Sequence, residues 1–222
     1  GSQSLREWAR YELNGYTGDA EESDRLVISL KLLEKLAQEE SLKDWQGLGL
    51  AIQGYQKRCE KVIDGLINLG RATGRRFLVR LVKGAYWDSE VKWAQQNGWP
   101  DFPVWTTKPA TDLNYLACAR MMLTAPDAIY SQFATHNAHT LSAVRALALE
   151  AGVERYEFQR LHGMGERLHD ILLSETGGHC RIYAPVGAHR DLLAATRAPI
   201  RSNATACPAS WYALRRRSAG LP

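Results

Sequence analysis

Asp19, Gln53, Lys83, His136 and His162 each close a short apolar run with a polar or reactive side chain. A carboxylate, an amide, an amine and two imidazoles at such positions can move protons, orient a ligand or form a covalent adduct. Arg80 sits inside an apolar run. Plainer readings stand beside these. Asp19 with Glu21 and Glu22 is also an ordinary acidic helix start that favours the helix dipole, and Arg80 can pair with a neighbouring acid. His136 and His139 are three apart, but no carboxylate or Cys at ligand spacing joins them, so a metal is the weaker reading. Trp87, Trp93 and Trp99 read as packing residues, and Gly163 and Gly165 as turn formers.

The elements that must position these residues alternate along the chain. Strand-like runs cover 16–18, 48–52, 77–82, 128–133, 156–159 and 181–186. Leu26, Leu30, Leu33 and Ala37 repeat at helical spacing, so 23–39 reads as a helix begun by Ser23 or Asp24. A second helix carries Val62, Leu66 and Leu69 and stops at Gly74. Others cover 89–96 (closed by Gly98), 111–123 with Leu113, Leu116, Ala117 and Arg120 in period, and 140–151 with Leu141, Val144 and Ala148 on one stripe. Residues 99–110 read as a loop rich in aromatics and Pro.

Strand–helix repetition at about 30-residue spacing implies a parallel sheet with helical crossovers. An open doubly wound sheet and a (β/α) barrel both satisfy it. No GxGxxG follows a strand, which weakens the dinucleotide-binding open sheet. Polar residues at the end of almost every strand favour the barrel, because its strand ends all converge on one face. A complete barrel takes about 250 residues, and five strand–helix units are legible before residue 191. The expectation is α/β: a partial (β/α)8 TIM-type barrel missing the first strands and the last helix. It would occupy 1–194, with a divergent Arg-rich tail over 195–222.

Several runs are distinctive: Asp19-Ala20-Glu21-Glu22-Ser23-Asp24-Arg25-Leu26, Gln53-Gly54-Tyr55-Gln56-Lys57-Arg58-Cys59 and Arg80-Leu81-Val82-Lys83-Gly84-Ala85-Tyr86-Trp87-Asp88-Ser89-Glu90. Phe133-Ala134-Thr135-His136-Asn137-Ala138-His139-Thr140, Tyr156-Glu157-Phe158-Gln159-Arg160-Leu161-His162-Gly163-Met164-Gly165-Glu166 and Arg181-Ile182-Tyr183-Ala184-Pro185-Val186-Gly187 complete the set. In this order they resemble the proline dehydrogenase domain of the bifunctional proline utilization A flavoenzymes, over roughly residues 10–194. The resemblance implies a (β/α)8 barrel with FAD, and oxidation of L-proline to Δ1-pyrroline-5-carboxylate by hydride transfer to flavin N5. It assigns catalytic roles to Asp19 and Arg80, the latter near the N5 region. It places Ala20, Gln53, Val82, Lys83, Gly84, Thr135 and His136 around the cofactor. Tyr86, Leu161 and Tyr183 would enclose the proline ring. It further implies a quinone or other electron acceptor and a cytoplasmic setting, with peripheral membrane association in the full-length family.

Two departures limit the resemblance. It begins at the strand bearing Asp19, without the preceding strands and their substrate-site Lys, and it stops after Leu192-Leu193-Ala194. There the family has its last barrel helix, whose Arg pair grips the proline carboxylate. Here Pro199 would break that helix, and Arg215–Arg217 match the pair in neither spacing nor context. The rival expectation is a non-catalytic remnant, truncated or frameshifted, that cannot close its barrel. A barrel aldolase using Lys83 ranks below both, since that Lys lies in a flavin-type motif.

Composition excludes other classes. With 45% hydrophobic and 23% charged residues the chain is globular rather than disordered. No run of about eighteen apolar residues predicts a membrane span, and no basic patch followed by an apolar run opens the chain. The net charge of +4 comes from the tail: Arg197, Arg201, Arg215, Arg216 and Arg217 follow the last acidic residue, and without them the rest carries −1. Specific nucleic-acid binding is therefore not expected. The four cysteines form no CxxC pair, which fits a reduced compartment, and Cys59 and Cys118 read as packing residues.

Overall fold

The structure, a computed structural model, describes residues 16–19, 23–176, 178–186 and 210–216. Among the described residues, seven strands form one sheet in chain order: β1 (Tyr16–Asp19), β2 (Leu48–Gln53), β3 (Phe77–Val82), β4 (Ile129–Ala134), β5 (Glu157–Leu161), β6 (Cys180–Val186) and β7 (Ser210–Arg216). Successive pairs from β1 to β6 are parallel. Among the described residues six α-helices accompany them, besides one 3-10 turn at Glu40–Leu42: α1 (Leu26–Ala37), α2 (Cys59–Thr73), α3 (Trp87–Gln96), α4 (Lys108–Leu123), α5 (Ala138–Glu150) and α6 (Glu166–Thr176). Parallel neighbours need long crossovers, and the helices supply them. This is the barrel-type α/β order that the repetition predicts.

The sheet has two unlike faces. Leu48, Leu50 and Ile52 of β2, Phe77, Val79 and Leu81 of β3, and Ile129 and Phe133 of β4 join the apolar core. From the helices come Leu26 and Leu33, Val62, Ile63 and Leu66, Tyr115, Cys118 and Met122, Leu141 and Val144, and Leu172. The alternate residues of the same strands lie on the other, inner face. Period-2 alternation thus separates a packing face from a face free for chemistry.

Local chemistry sets the element ends. Gly74 closes α2 at φ 64° and Gly98 follows α3 at φ 61°, both left-handed turns that glycine adopts cheaply. Arg75, directly after that turn, is buried and donates to the carbonyls of Ala37, Leu42 and Trp45, joining the α1–β2 connection to α2. Pro109 lies in the first turn of α4, so the Pro-containing loop expected over 99–110 ends earlier.

Three expectations are corrected. Neither Ser23 nor Asp24 caps α1: its N-cap is Arg25, without a side-chain bond, and the Ser23 hydroxyl is spent on the buried carboxylate of Glu90, 2.6 Å away. In α4 the buried face is Thr111, Asn114, Tyr115, Cys118, Ala119 and Met122, while Leu113 is 71% exposed. That helix packs against α2 and α5 as well as the sheet, so it shows no clean apolar stripe. Helix α6 was not anticipated, because polar residues surround its few apolar ones. Within 195–222, β7 runs antiparallel to β6, from Val186↔Ser210 to Cys180↔Arg216. Trp211, Tyr212 and Leu214 give this piece a strand-prone composition. The expected helix break at Pro199 lies outside the described residues. Among the described residues no helix is long and apolar enough to cross a membrane.

Candidate functional site

The strand register assembles a row across the sheet: Asp19 opposite Ala51, Ala51 opposite Arg80, Arg80 opposite Gln132, and Gln132 opposite Glu157. One step toward the strand ends lie Gln53 opposite Val82, Ala134 opposite Gln159, and Gln159 opposite Arg181. Leu161 and Tyr183 pair one step further. A barrel interior is usually filled by branched apolar residues. Here it carries amides and cations, the mark of a surface that meets a polar ligand.

Arg80 and Tyr183 come together across this face, with the guanidinium 5.7 Å from the ring centroid, a cation–π distance. Leu161 is buried beside Tyr183, and Tyr86 is buried at the start of α3, just past the end of β3. Gln53 is buried at the end of β2.

After β2 and β3 the backbone keeps pairing. Gly54 N–H donates to Val82 O at 2.7 Å and Tyr55 N–H to Lys83 O at 2.8 Å. Gly84 then turns at φ 121°, and a Cβ there would lie 2.3 Å from the Tyr55 ring, so only glycine fits. Lys83 brings its backbone to this rim. Its ammonium turns toward α4, where Asp112 accepts from it at 2.5 Å and also from Lys108. Burial works against ionisation of Asp112, but the two lysines outweigh it and hold its carboxyl below the usual range.

At β4 and β5 the polar groups interlock. Thr135 N–H donates to Gln159 O at 3.3 Å, and its carbonyl accepts from His169 Nε2 at 3.0 Å. His136 Nε2 accepts from the Leu161 amide at 2.9 Å, so its proton is on Nδ1. Burial, with His169 and Arg160 nearby, lowers its pKa. Burial also lowers that of His169, which is fully enclosed in α6. Arg160 is buried under the 162–165 turn and donates to the Leu161 and Met164 carbonyls and to Glu166. Gly165, at φ 63°, lies against the His136 ring.

Sequence reasoning missed the most densely bonded group on the inner face. Glu157, 1% exposed, accepts from Arg181 Nε at 2.6 Å and Nη2 at 2.9 Å, Gln159 Nε2 at 2.7 Å and Gln132 Nε2 at 2.9 Å. Burial alone would lower the Arg181 pKa, but the Glu157 carboxylate outweighs it and raises it. The findable signal was polar residues two apart: Tyr130 and Gln132, Glu157 and Gln159, Arg181 and Tyr183. Of the anticipated positions, Gln53, Arg80, Val82, Thr135, His136, Leu161 and Tyr183 fall on strands β2 to β6 or just beyond them. Gly84 and Tyr86 lie on the rim, and Asp19 is placed by backbone register alone. Ala20 lies outside the described residues. His139 and His136 gain no third ligand, and among the described residues no group of three His, Cys, Asp or Glu could hold a metal.

A family model described as proline dehydrogenase matches residues 3–195. The bifunctional protein PutA of Escherichia coli K12 is 54% identical over 198 residues, which are 86% of this chain and 15% of that protein. PutA of Rhizobium meliloti is 50% identical over 187 residues, 81% of this chain and again 15% of the relative. Among solved structures, proline utilization A with proline bound in remote sites superposes with a TM-score of 0.82 at 50% identity, covering 89% of this chain and 21% of that one. The Bdellovibrio bacteriovorus enzyme inactivated by N-propargylglycine gives a TM-score of 0.74 at 36% identity, over 78% and 18% of the two chains. The chain thus spans about a sixth of the length of the curated relatives it matches. With this fold, these motifs and a family match over most of its length, the chain belongs to the proline dehydrogenase family.

Proposed function

We propose that this chain carries the proline-oxidising site of its family: FAD-dependent conversion of L-proline to Δ1-pyrroline-5-carboxylate. The observation that carries this reading is the Arg80–Tyr183 pair on an inner face lined by amides instead of apolar fillers. That donor set suits a flavin. Gln53 can hydrogen-bond a ring edge made of carbonyl and N–H groups, and Arg80 supplies a cation for a ring that gains negative charge. Val82, Lys83 and Gly84 offer backbone at the rim, Thr135 and His136 offer a hydroxyl and an imidazole N–H, and Ala20 joins them by family likeness.

Gln53, Arg80, Thr135, His136 and the Val82–Gly84 backbone would hold FAD, which would supply a hydride acceptor at N5 for oxidation of proline at the ring carbon next to its nitrogen, with loss of the nitrogen proton and formation of a C=N bond. The residues of the chain place and enclose the reactants. Leu161, Tyr86 and Tyr183 wall in a small ring, as an apolar amino acid requires. Asp19, at the end of the row that contains Arg80, organises the substrate side. His136, held neutral, adds no second cation. A quinone or other acceptor takes the electrons afterwards, in a cytoplasmic setting with peripheral contact to a membrane.

One observation favours a second reading, a non-catalytic member of the family. β7 runs antiparallel to β6, where a barrel would continue with a parallel strand. A visible spectrum separates the two. The enzyme reading expects oxidised-flavin bands in the purified or FAD-supplemented chain, bleached by L-proline under anaerobic conditions. A chain that stays colourless with added FAD refutes it.

A further inference from the structure

We propose that Glu90 is a positioning residue: it ties Ser23, four residues past Asp19, to the turn of α3 that follows Tyr86, and so fixes the spacing of two walls of the substrate pocket. The inference deepens the proline-oxidising reading above and rests on it. Glu90 lies in the first turn of α3, where a carboxylate commonly faces water and favours the helix dipole. Here it is 1% exposed and reaches a different part of the chain. Its Oε1 accepts from the Ser23 amide at 2.7 Å and its Oε2 from the Ser23 hydroxyl at 2.6 Å. The Ser23 carbonyl accepts from Arg58 Nη2. Amide, hydroxyl and carbonyl of one buried residue are thus all engaged by side chains. A buried carboxylate that loses its donors is left with the full cost of its desolvation, so Glu90 and Ser23 stay together.

Glu90 is equally tied to the other wall. Its own N–H donates to the Tyr86 carbonyl at 3.0 Å, so the residue that holds Ser23 shares a helical turn with Tyr86. Asp19 ends β1, Tyr86 follows β3, and β2 lies between those strands. The β1–β2 ladder stops at Asp19. Beyond it, Glu90 joins the two sides across β2. A small ring offers few contacts, so a wall displaced by about 1 Å is strongly felt. Glu90 acts on the substrate through Ser23 and Tyr86.

The full 222-residue chain supplied with FAD gives the first test. E90A should raise the KM for L-proline about tenfold or more, the worth of one charge-assisted bond, while FAD affinity stays within about twofold of wild type. S23A removes the hydroxyl and keeps the amide, so it should raise KM less. E90Q should recover most of the loss, because its oxygen accepts from the amide and its nitrogen donates to the hydroxyl oxygen. A merely structural role predicts that FAD affinity falls in step with the rise in KM. That result, an unchanged KM in E90A, or an E90Q as impaired as E90A, overturns the proposal. Should E90A not fold, S23A decides: a raised KM at unchanged FAD affinity supports the role, and an unchanged KM overturns it.

Hydrogen exchange provides a second test without flavin. In S23A, residues 84–90 should exchange faster than in wild type, although Glu90 is 67 residues from the substituted position, and β4 should keep its wild-type rate. A wild-type rate over 84–90, or an equal acceleration in β4, overturns the tie. If the wild-type chain takes up no FAD, or holds FAD that L-proline does not reduce, the proposed function falls and the exchange experiment alone judges Glu90.

Discussion

The two faces of one sheet obey different rules. On the helix side, Phe77, Val79 and Leu81 of β3 are fully buried in the apolar core. On the inner side the same strand presents Leu78, Arg80 and Val82, all half-buried. The first face is held by close packing, where each lost methylene costs stability. The second is held by directed hydrogen bonds around Glu157 and by the Arg80–Tyr183 contact, where the cost of a change falls on chemistry. Stability and activity should therefore separate by strand parity, and substitutions an odd number of residues apart in β3 can break that separation.

The largest effect is expected on the packing face. Phe77→Ala should cost about 3–5 kcal/mol of unfolding free energy in a urea titration, enough to threaten the fold. Arg80→Met, three residues on and on the opposite face, should slow proline-driven flavin reduction by roughly 10²-fold, about 3 kcal/mol of barrier. It should move the urea midpoint far less than Phe77→Ala does. Stopped-flow reduction and the same urea series check both halves, and equal stability losses at the two positions would erase the contrast. Next comes the rim. Gly84→Ala forces a Cβ into the Tyr55 ring at a positive φ, so a loss of about 1–3 kcal/mol is expected, with weaker FAD uptake because the Lys83–Gly84 backbone moves.

The packing face was the more legible of the two in the sequence. Apolar residues two apart in Phe77-Leu78-Val79 and three or four apart in Leu26, Leu30 and Leu33 announce strand and helix, since burial dictates residue type there. Legibility failed where an element is covered on several sides. Helix α4 buries Asn114, whose amide donates to Gly54 O at 2.7 Å, so its inward face is not its apolar one. Ser23 misled as a cap because its partner Glu90 is 67 residues away, a contact no local pattern encodes. On the inner face, residue types hinted at a ligand surface, and the strand-end positions could be named from motif likeness. The Glu157 hub could not, because its donors come from three strands and converge only through register.

Between the two faces lies a boundary that responds to pH, and there the smallest effect is expected. His136 and His169 bridge the ends of β4 and β5 to α6, and burial is the main cause that lowers both from the ordinary 6.5. In the unfolded chain they take up protons below about 6.5, while in the folded chain they resist. The unfolded state then binds more protons, so stability is full above 6.5 and declines as pH falls from there toward the lower folded values. Urea midpoints measured from pH 7.5 down to 5.5 should show this decline. His169→Gln should flatten part of it, because a glutamine has no proton to gain, while lowering stability at pH 7.5 through loss of the Thr135 carbonyl contact. An unchanged slope in that variant would mean that the acid sensitivity arises elsewhere, and that this boundary is held by packing as rigidly as the helix side.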